Sequence, residues 1–147
     1  MLTWKTMPFT DFTVKELYEV LQLRSEVFVV EQDCVYQDID FKDQKALHVL
    51  GYKNEKLVAY TRVFKRGDYF DEASIGRVVV QQNERKYGYG HDLIKESINV
   101  IETQLGTSTI HISAQTYLEK FYSTHGFAKT GEGYLEDGIP HIKMIKN

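Results

Sequence analysis

Cysteine is nearly absent from this sequence. Cys34 is the only one among 147 residues, so no disulfide can close within the chain, and a reducing compartment, the cytoplasm, is the simplest home. Proline is almost as scarce, with Pro8 and Pro140 alone, and no Pro/Gly/Ser tract or repeat marks a linker. A single domain over residues 1–147 is expected. No run approaches the ~20 apolar residues needed to span a bilayer, so no membrane partner is expected. Excess positive charge is missing too: 18 basic against 21 acidic residues give a net of -3, which argues against a general nucleic-acid binder. His-Glu-x-x-His runs and paired cysteines do not occur, so no dedicated metal site is expected.

What is present is a sequence of regular elements. Thr13, with Glu16 three residues later, forms a capping-box pattern ahead of the apolar stripe Leu17, Val20, Leu21, Val27 and Phe28, which predicts a helix running to about Glu31. The polar stretch "QDCVYQDIDFKDQKA" reads as a long loop able to wall a site. "LHVLGYK" and "KLVAYTRVFK", separated by Asn54-Glu55, read as a hairpin, and "SIGRVVV" as a third strand. A helix from about Tyr89 to Leu105, the strand "STIHIS" and a helix over "QTYLEKFYSTH" follow, with Gly126 suited to a left-handed C-cap. Two short strands, "FAKTGEGYLE" and "IPHIKMIK", close the chain. This order implies an α/β (α+β) fold with a mixed sheet flanked by helices. The last hairpin also offers an edge strand for a homodimer.

The stretch "ERKYGYGHDLI" stands out, because Gly88 and Gly90 interrupt the start of an amphipathic helix, where each costs roughly 1 kcal/mol against alanine. A turn from strand to helix presents unpaired N–H groups and the positive end of the dipole, a cradle for phosphate, and Arg85 and Lys86 add positive charge. A Walker loop is excluded, since His91-Asp92 follows Gly90, and a dinucleotide fingerprint is excluded by Leu93. Relief of close packing at a helix start is the alternative explanation of the two glycines.

The pattern Arg85-x-x-Gly88-x-Gly90 after "VVV" resembles the acyl-CoA pyrophosphate loop of the GNAT acetyltransferase superfamily, and "LEKFYSTHGF" resembles its second signature. "LQLRSEVFVVEQ", "YQDID" and "EDGIPHIKM" are similar to the ElaA-type branch, so the resemblance spans most of the chain. It implies acetyl-CoA as acyl donor, a small amine or peptide amine as acceptor, and direct transfer in a ternary complex. It also implies that the backbone of Arg85, Lys86, Tyr87, Gly88, Tyr89 and Gly90 wraps the pyrophosphate. Val78 and Val80, on a bulged strand, would offer main-chain groups to pantetheine, the N–H of Val80 facing the thioester carbonyl. Tyr122 falls at the family's general-acid position. Gln115 stands where the family often has Asn, and Leu118 where alanine is common.

The acceptor side is less defined. Glu31 is the first candidate for acceptor contact or base, while Asp38 and Asp40 are able to attract a cationic amine. Arg62, Arg77 and, less strongly, Arg24 are candidates for neutralising a substrate carboxylate. His48, His111 and His141 lie on predicted strands, where structural roles outweigh catalysis; His91 belongs to a helix face and His125 to a helix end. Cys34 in a polar loop is a weak nucleophile signal. Two alternatives accompany the acetyltransferase reading: an acyl-CoA-binding sensor without catalysis, and an acyltransferase like the acyl-homoserine lactone synthases, suggested by "EVFVVEQ".

Overall fold

The computed structural model describes residues 1–147. Its first helix, α1, spans Val14–Arg24 and begins at the expected capping box: Thr13 Oγ1 accepts the Glu16 N–H at 3.1 Å and Glu16 Oε1 accepts the Thr13 N–H at 2.9 Å. Helical winding continues to Glu31, but as a wider π-helix over Ser25–Glu31. The change falls directly after Arg24, a fully buried residue whose guanidinium is bonded to Asp38 and Asp43.

Seven strands form one sheet in the order β1-β2-β3-β4-β5-β7-β6, where β1 is Thr3–Pro8, β2 Leu47–Lys53, β3 Lys56–Phe64, β4 Ala73–Val80, β5 Ile110–Gln115, β6 Ala128–Glu136 and β7 Ile139–Lys146. Strand β1 escapes the sequence reading because Lys5 and two threonines dilute its alternation; it is an edge strand whose Trp4 and Met7 pack on the core while Pro8 ends it. The β2–β3 hairpin turns at Asn54 and Glu55, both at positive φ (50° and 70°), the conformation that matches strand twist. Helix α2, Tyr89–Gln104, buries Leu93, Ile94, Val100 and Ile101 against one sheet face, where Ser97 and Thr61 share a hydrogen bond of 2.7 Å. On the other face, Val20, Leu23 and Val27 meet Leu50, Tyr60 and Val79.

Two irregularities prepare the site. Strand β4 carries a bulge, since Tyr60 pairs with Val79 and Arg62 with Gly76, leaving Arg77 and Val78 opposite Thr61 alone; Arg77 takes φ +48°. The β4–β5 pairing, the sheet's one parallel contact, holds for only two residue pairs, Ala73↔Ile110 and Ser74↔His111, after which the strands part. The helix expected over residues 115–125 is shorter: a 3-10 turn at Thr116–Leu118 leads into α3, Glu119–Ser123, and Gly126 reverses the chain at φ +93°. No side chain caps either start, and the 3-10 turn serves as the entry to the helix.

Candidate active site

The glycine stretch lies where β4 ends beside this opening. Residues Gln82–Tyr87 make a 3-10 turn, Gly88 is left-handed at φ +75°, and α2 starts at Tyr89. A Cβ on Gly88 would meet nothing within 4 Å, so backbone conformation and not packing demands this glycine. Gly90 lies over α3, its Cβ position 3.5 Å from the Phe121 ring, an ordinary contact distance. The first turn of α2 leaves unpaired N–H groups at a dipole terminus.

The charges around this turn are arranged differently from the simple sum of Arg85 and Lys86. Arg85 donates from Nε to the Val80 carbonyl at 3.0 Å and grips both oxygens of Glu31 at 2.6 and 2.8 Å. Glu31, the first candidate for acceptor contact or base, therefore braces Arg85 and is not among the residues lining the cavity described below. Lys53 pairs with Glu84 at 2.8 Å and sits 4.1 Å from the Tyr87 ring centroid. Lys86 lies 5.3 Å from the same ring. Tyr89 is 6% exposed and packs in the core, its ring centroid 5.5 Å from that of Tyr87 in the turn.

Beyond the parted strands a cavity opens, lined by Val78, Gln115, Leu118 and Tyr122 and, from the loop and the β6–β7 hairpin, by Cys34, Glu136, Asp137 and His141. The Gln81 N–H donates to Val58 O at 2.8 Å, across to β3. By strand alternation the main-chain groups of Val80 then face the other way, into the gap between β4 and β5. Tyr122 is 5% exposed and lines the cavity. Burial, reinforced by Tyr117, pushes its phenol above the ordinary value, so it keeps its proton across the physiological range.

The long loop after the π-helix does wall this cavity, through Cys34 and Tyr36, and it is pinned by charges that the sequence presents as free candidates. Arg24 bonds Asp38 at 3.0 Å and Asp43 at 2.9 Å; Arg62 bonds Asp40 at 2.8 and 2.6 Å and Asp43 at 2.9 Å. Arg77 pairs with Asp38 at 2.7 Å and Asp40 at 3.3 Å. Three arginines thus balance three aspartates, so Asp38, Asp40, Arg24, Arg62 and Arg77, all candidates for binding substrate charge, are here paired with one another or with Asp43. Burial favours the neutral form of Asp40, but the Arg62 contacts outweigh it and hold the carboxyl well below the usual carboxylate range. His48 belongs to the same cluster, 2.6 Å from Tyr60 Oη and 2.9 Å from the Asp43 carbonyl, and burial lowers its pKa to about 4.

The other histidines divide by setting. His111 stacks on Phe70 at 3.6 Å with Nδ1 3.1 Å from Glu72, and burial lowers its pKa. His91 and His125 meet at 2.8 Å on the surface beside Phe121. His141 is 7% exposed, with Nδ1 2.7 Å from the Ile139 carbonyl and Nε2 3.5 Å from Glu136. Cys34 Sγ lies 3.7 Å from the Asp137 carbonyl, tying the loop to the β6–β7 turn. Glu136 and Asp137 were not singled out from the sequence. They fall within "EDGIPHIKM", a stretch that resembles the ElaA-type branch without marking which of its residues face a site. No group of three or more His, Cys, Asp or Glu side chains is gathered for a metal ion, and no helix is long and apolar enough to cross a membrane.

A mixed sheet that parts beside a glycine turn at a helix start, over a cavity lined by a buried tyrosine, defines an acyltransferase fold. Residues 10–147 match the model of the GNAT acetyltransferase domain, and the chain belongs to that family. Among curated proteins it is 40% identical to protein ElaA of Escherichia coli over 148 residues, covering 99% of this chain and 97% of that one. It is also 43% identical to a UPF0039 protein of Schizosaccharomyces pombe, covering 92% and 91% of the two chains. The crystal structure of an acyl-CoA N-acyltransferase from Pseudomonas aeruginosa superposes with a TM-score of 0.94 at 38% identity, and that of Escherichia coli ElaA with 0.93 at 39%, each covering 100% of both chains.

Proposed function

We propose that this protein is an N-acetyltransferase that uses acetyl-CoA as acyl donor and transfers the acetyl group directly, within a ternary complex, to the amine of a small-molecule or peptide acceptor. The observation that carries this reading is the parting of β4 from β5 after Ser74 and His111, with the Gly88 turn following β4 and Tyr122 lining the cavity. In the proposal, the backbone from Arg85 to Gly90 receives the pyrophosphate, aided by the charge of Lys86, while Tyr87 and Tyr89 take part through main chain. Arg85, braced by Glu31 and bonded to Val80 O, stiffens the turn. Val78 and Val80 offer main-chain groups to the pantetheine arm, and the Val80 N–H donates to the oxygen that becomes negative during attack. Gln115 contacts the donor beside Tyr122, and Tyr122, kept protonated by burial, donates to the departing thiolate. The free thiol of Cys34 supports a cytoplasmic home, and the exposed edge strand β6 supports a homodimer.

Calorimetric titration with acetyl-CoA, followed by thiol release in the presence of an amine panel, tests this reading. Gly88→Glu is the control: its Cβ meets no atom, so the cost to folding is the left-handed backbone alone, about 1–2 kcal/mol, while the added carboxylate lies where the diphosphate belongs. Binding and thiol release by the parent, with binding lost in a folded Gly88→Glu, are the expected results. Undiminished affinity in that variant overturns the loop assignment. Binding without turnover supports the sensor instead, and octanoyl-CoA preferred over acetyl-CoA supports the long-chain alternative.

A further inference from the structure

An alkylammonium acceptor is protonated at neutral pH and must lose a proton before it can attack. With Glu31 bonded to Arg85, the candidates to take it are the residues that line the cavity. The Nδ1 of His141 lies 2.7 Å from the Ile139 carbonyl, which can only accept, so in the neutral ring Nδ1 carries the hydrogen and Nε2 presents its lone pair. Nε2 stands 3.5 Å from Glu136 Oε2. In that form both groups accept, and a donor bearing several N–H bonds can serve the two together. Glu136 is steadied on its other oxygen by Ser113 Oγ at 3.3 Å, and Ser113 is in turn hydrogen-bonded to the Tyr134 hydroxyl. The Tyr134 ring stacks on His141, with planes 21° apart. These residues come from β5, β6 and β7, and His141 is paired in register with Gln115, the last residue of β5 before the turn that leads to Tyr122.

Charge defines the acceptor further. The cationic side chains lining the cavity are Arg62 and Arg77, and both are bound to the aspartates of the loop. A carboxylate next to the reacting nitrogen would therefore find no open cation and would face Glu136 and Asp137. We propose that His141, paired with Glu136, is the base that deprotonates the acceptor's ammonium, and that the acceptor is an alkylamine without a carboxylate beside its nitrogen. The proposal rests on the transferase reading above.

In the step this assigns, an ammonium proton passes to His141 Nε2, and Glu136 compensates the imidazolium. The freed nitrogen lone pair forms the C–N bond to the thioester carbon. As the C–S bond breaks, the sulfur leaves with its electron pair and takes a proton from Tyr122, which is reprotonated by the second proton lost from nitrogen. The imidazolium returns its proton to solvent, leaving amide, thiol and one released proton.

The test compares acetyl transfer to phenethylamine and tyramine with transfer to their carboxylated counterparts, phenylalanine and tyrosine, in the parent, His141→Ala and Glu136→Gln. The parent is expected to use each amine at least about ten-fold better in kcat/KM than its amino acid. His141→Ala should bind acetyl-CoA as the parent does, lose kcat by about 30-fold or more, and regain at least about a third of the loss in free imidazole, on the scale of general-base contributions. Glu136, half exposed and at little risk of misfolding, should on change to Gln raise the amine KM about five-fold or more with acetyl-CoA affinity intact. Parent turnover matched by folded His141→Ala, a deficit that imidazole does not relieve, an unchanged KM in Glu136→Gln, or equal use of amine and amino acid each overturn the inference while leaving the transferase reading standing. A parent that releases no thiol with any amine overturns both.

Discussion

Acid should loosen the wall of the cavity through His48. This residue is 1% exposed, and its Nε2 faces the Asp43 carbonyl, so Nε2 carries the hydrogen while Nδ1 accepts from Tyr60 Oη. Burial is the main cause of its lowered pKa; the Asp43 carbonyl and charge oppose the shift, and Arg24 and Arg62 reinforce it. The folded value is about 4, against 6.5 for the free side chain. Between those two values the unfolded chain binds the proton that the native state resists, so stability is complete above pH 6.5, declines as the pH falls toward 4, and changes no further below it. At about 1.4 kcal/mol per pH unit, the loss by pH 4 is roughly 3 kcal/mol. The burial of His111 and His125 acts in the same direction, so the quantity to measure is a difference. Urea unfolding of the parent and His48→Gln at several pH values from 7 to 4 isolates it. The variant should be less stable at pH 7 by about 1–2 kcal/mol, for imperfect bonds to Tyr60 and Asp43. The parent's advantage should vanish and reverse as the pH falls to 4. A difference that stays constant with pH would refute the reasoning, because it would mean that His48 titrates alike in both states.

Tyr122→Phe should lower kcat by ten-fold or more, general-acid contributions being roughly 10²–10⁴, while acetyl-CoA affinity holds; unchanged turnover removes Tyr122 from the mechanism. Arg24→Ala should destabilise the fold by about 3–5 kcal/mol in urea unfolding, since Asp38 and Asp43 would each lose a buried partner. A loss below about 1 kcal/mol would show that Arg62 and Arg77 suffice to hold the loop.

Local chemistry was legible where one segment contains both partners. The capping box at Thr13 and Glu16, the Asn54-Glu55 hairpin turn, the left-handed Gly126 and the span of α2 all follow from neighbours within a few residues. Strand β1 was not legible, because an edge strand buries only part of one face and its polar residues hide the period. Nor was the switch to π winding after Arg24, which coincides with a contact to residues far along the chain.

The candidate site shows the same division more sharply. The glycines, the tyrosine and the order of strand, turn and helix are properties of the sequence alone, and they suffice for the family and the fold class. Which charges remain available is not. Glu31 meets Arg85 across 54 residues, Arg24, Arg62 and Arg77 meet the aspartates across 14 to 39, and His141 meets the Glu136 carboxylate only because a hairpin folds them together. A charged side chain is a candidate ligand in the sequence and becomes either brace or reactant according to its partner. That partner is chosen by the tertiary structure, since burying a charge is tolerable only where an opposite charge is already held in place.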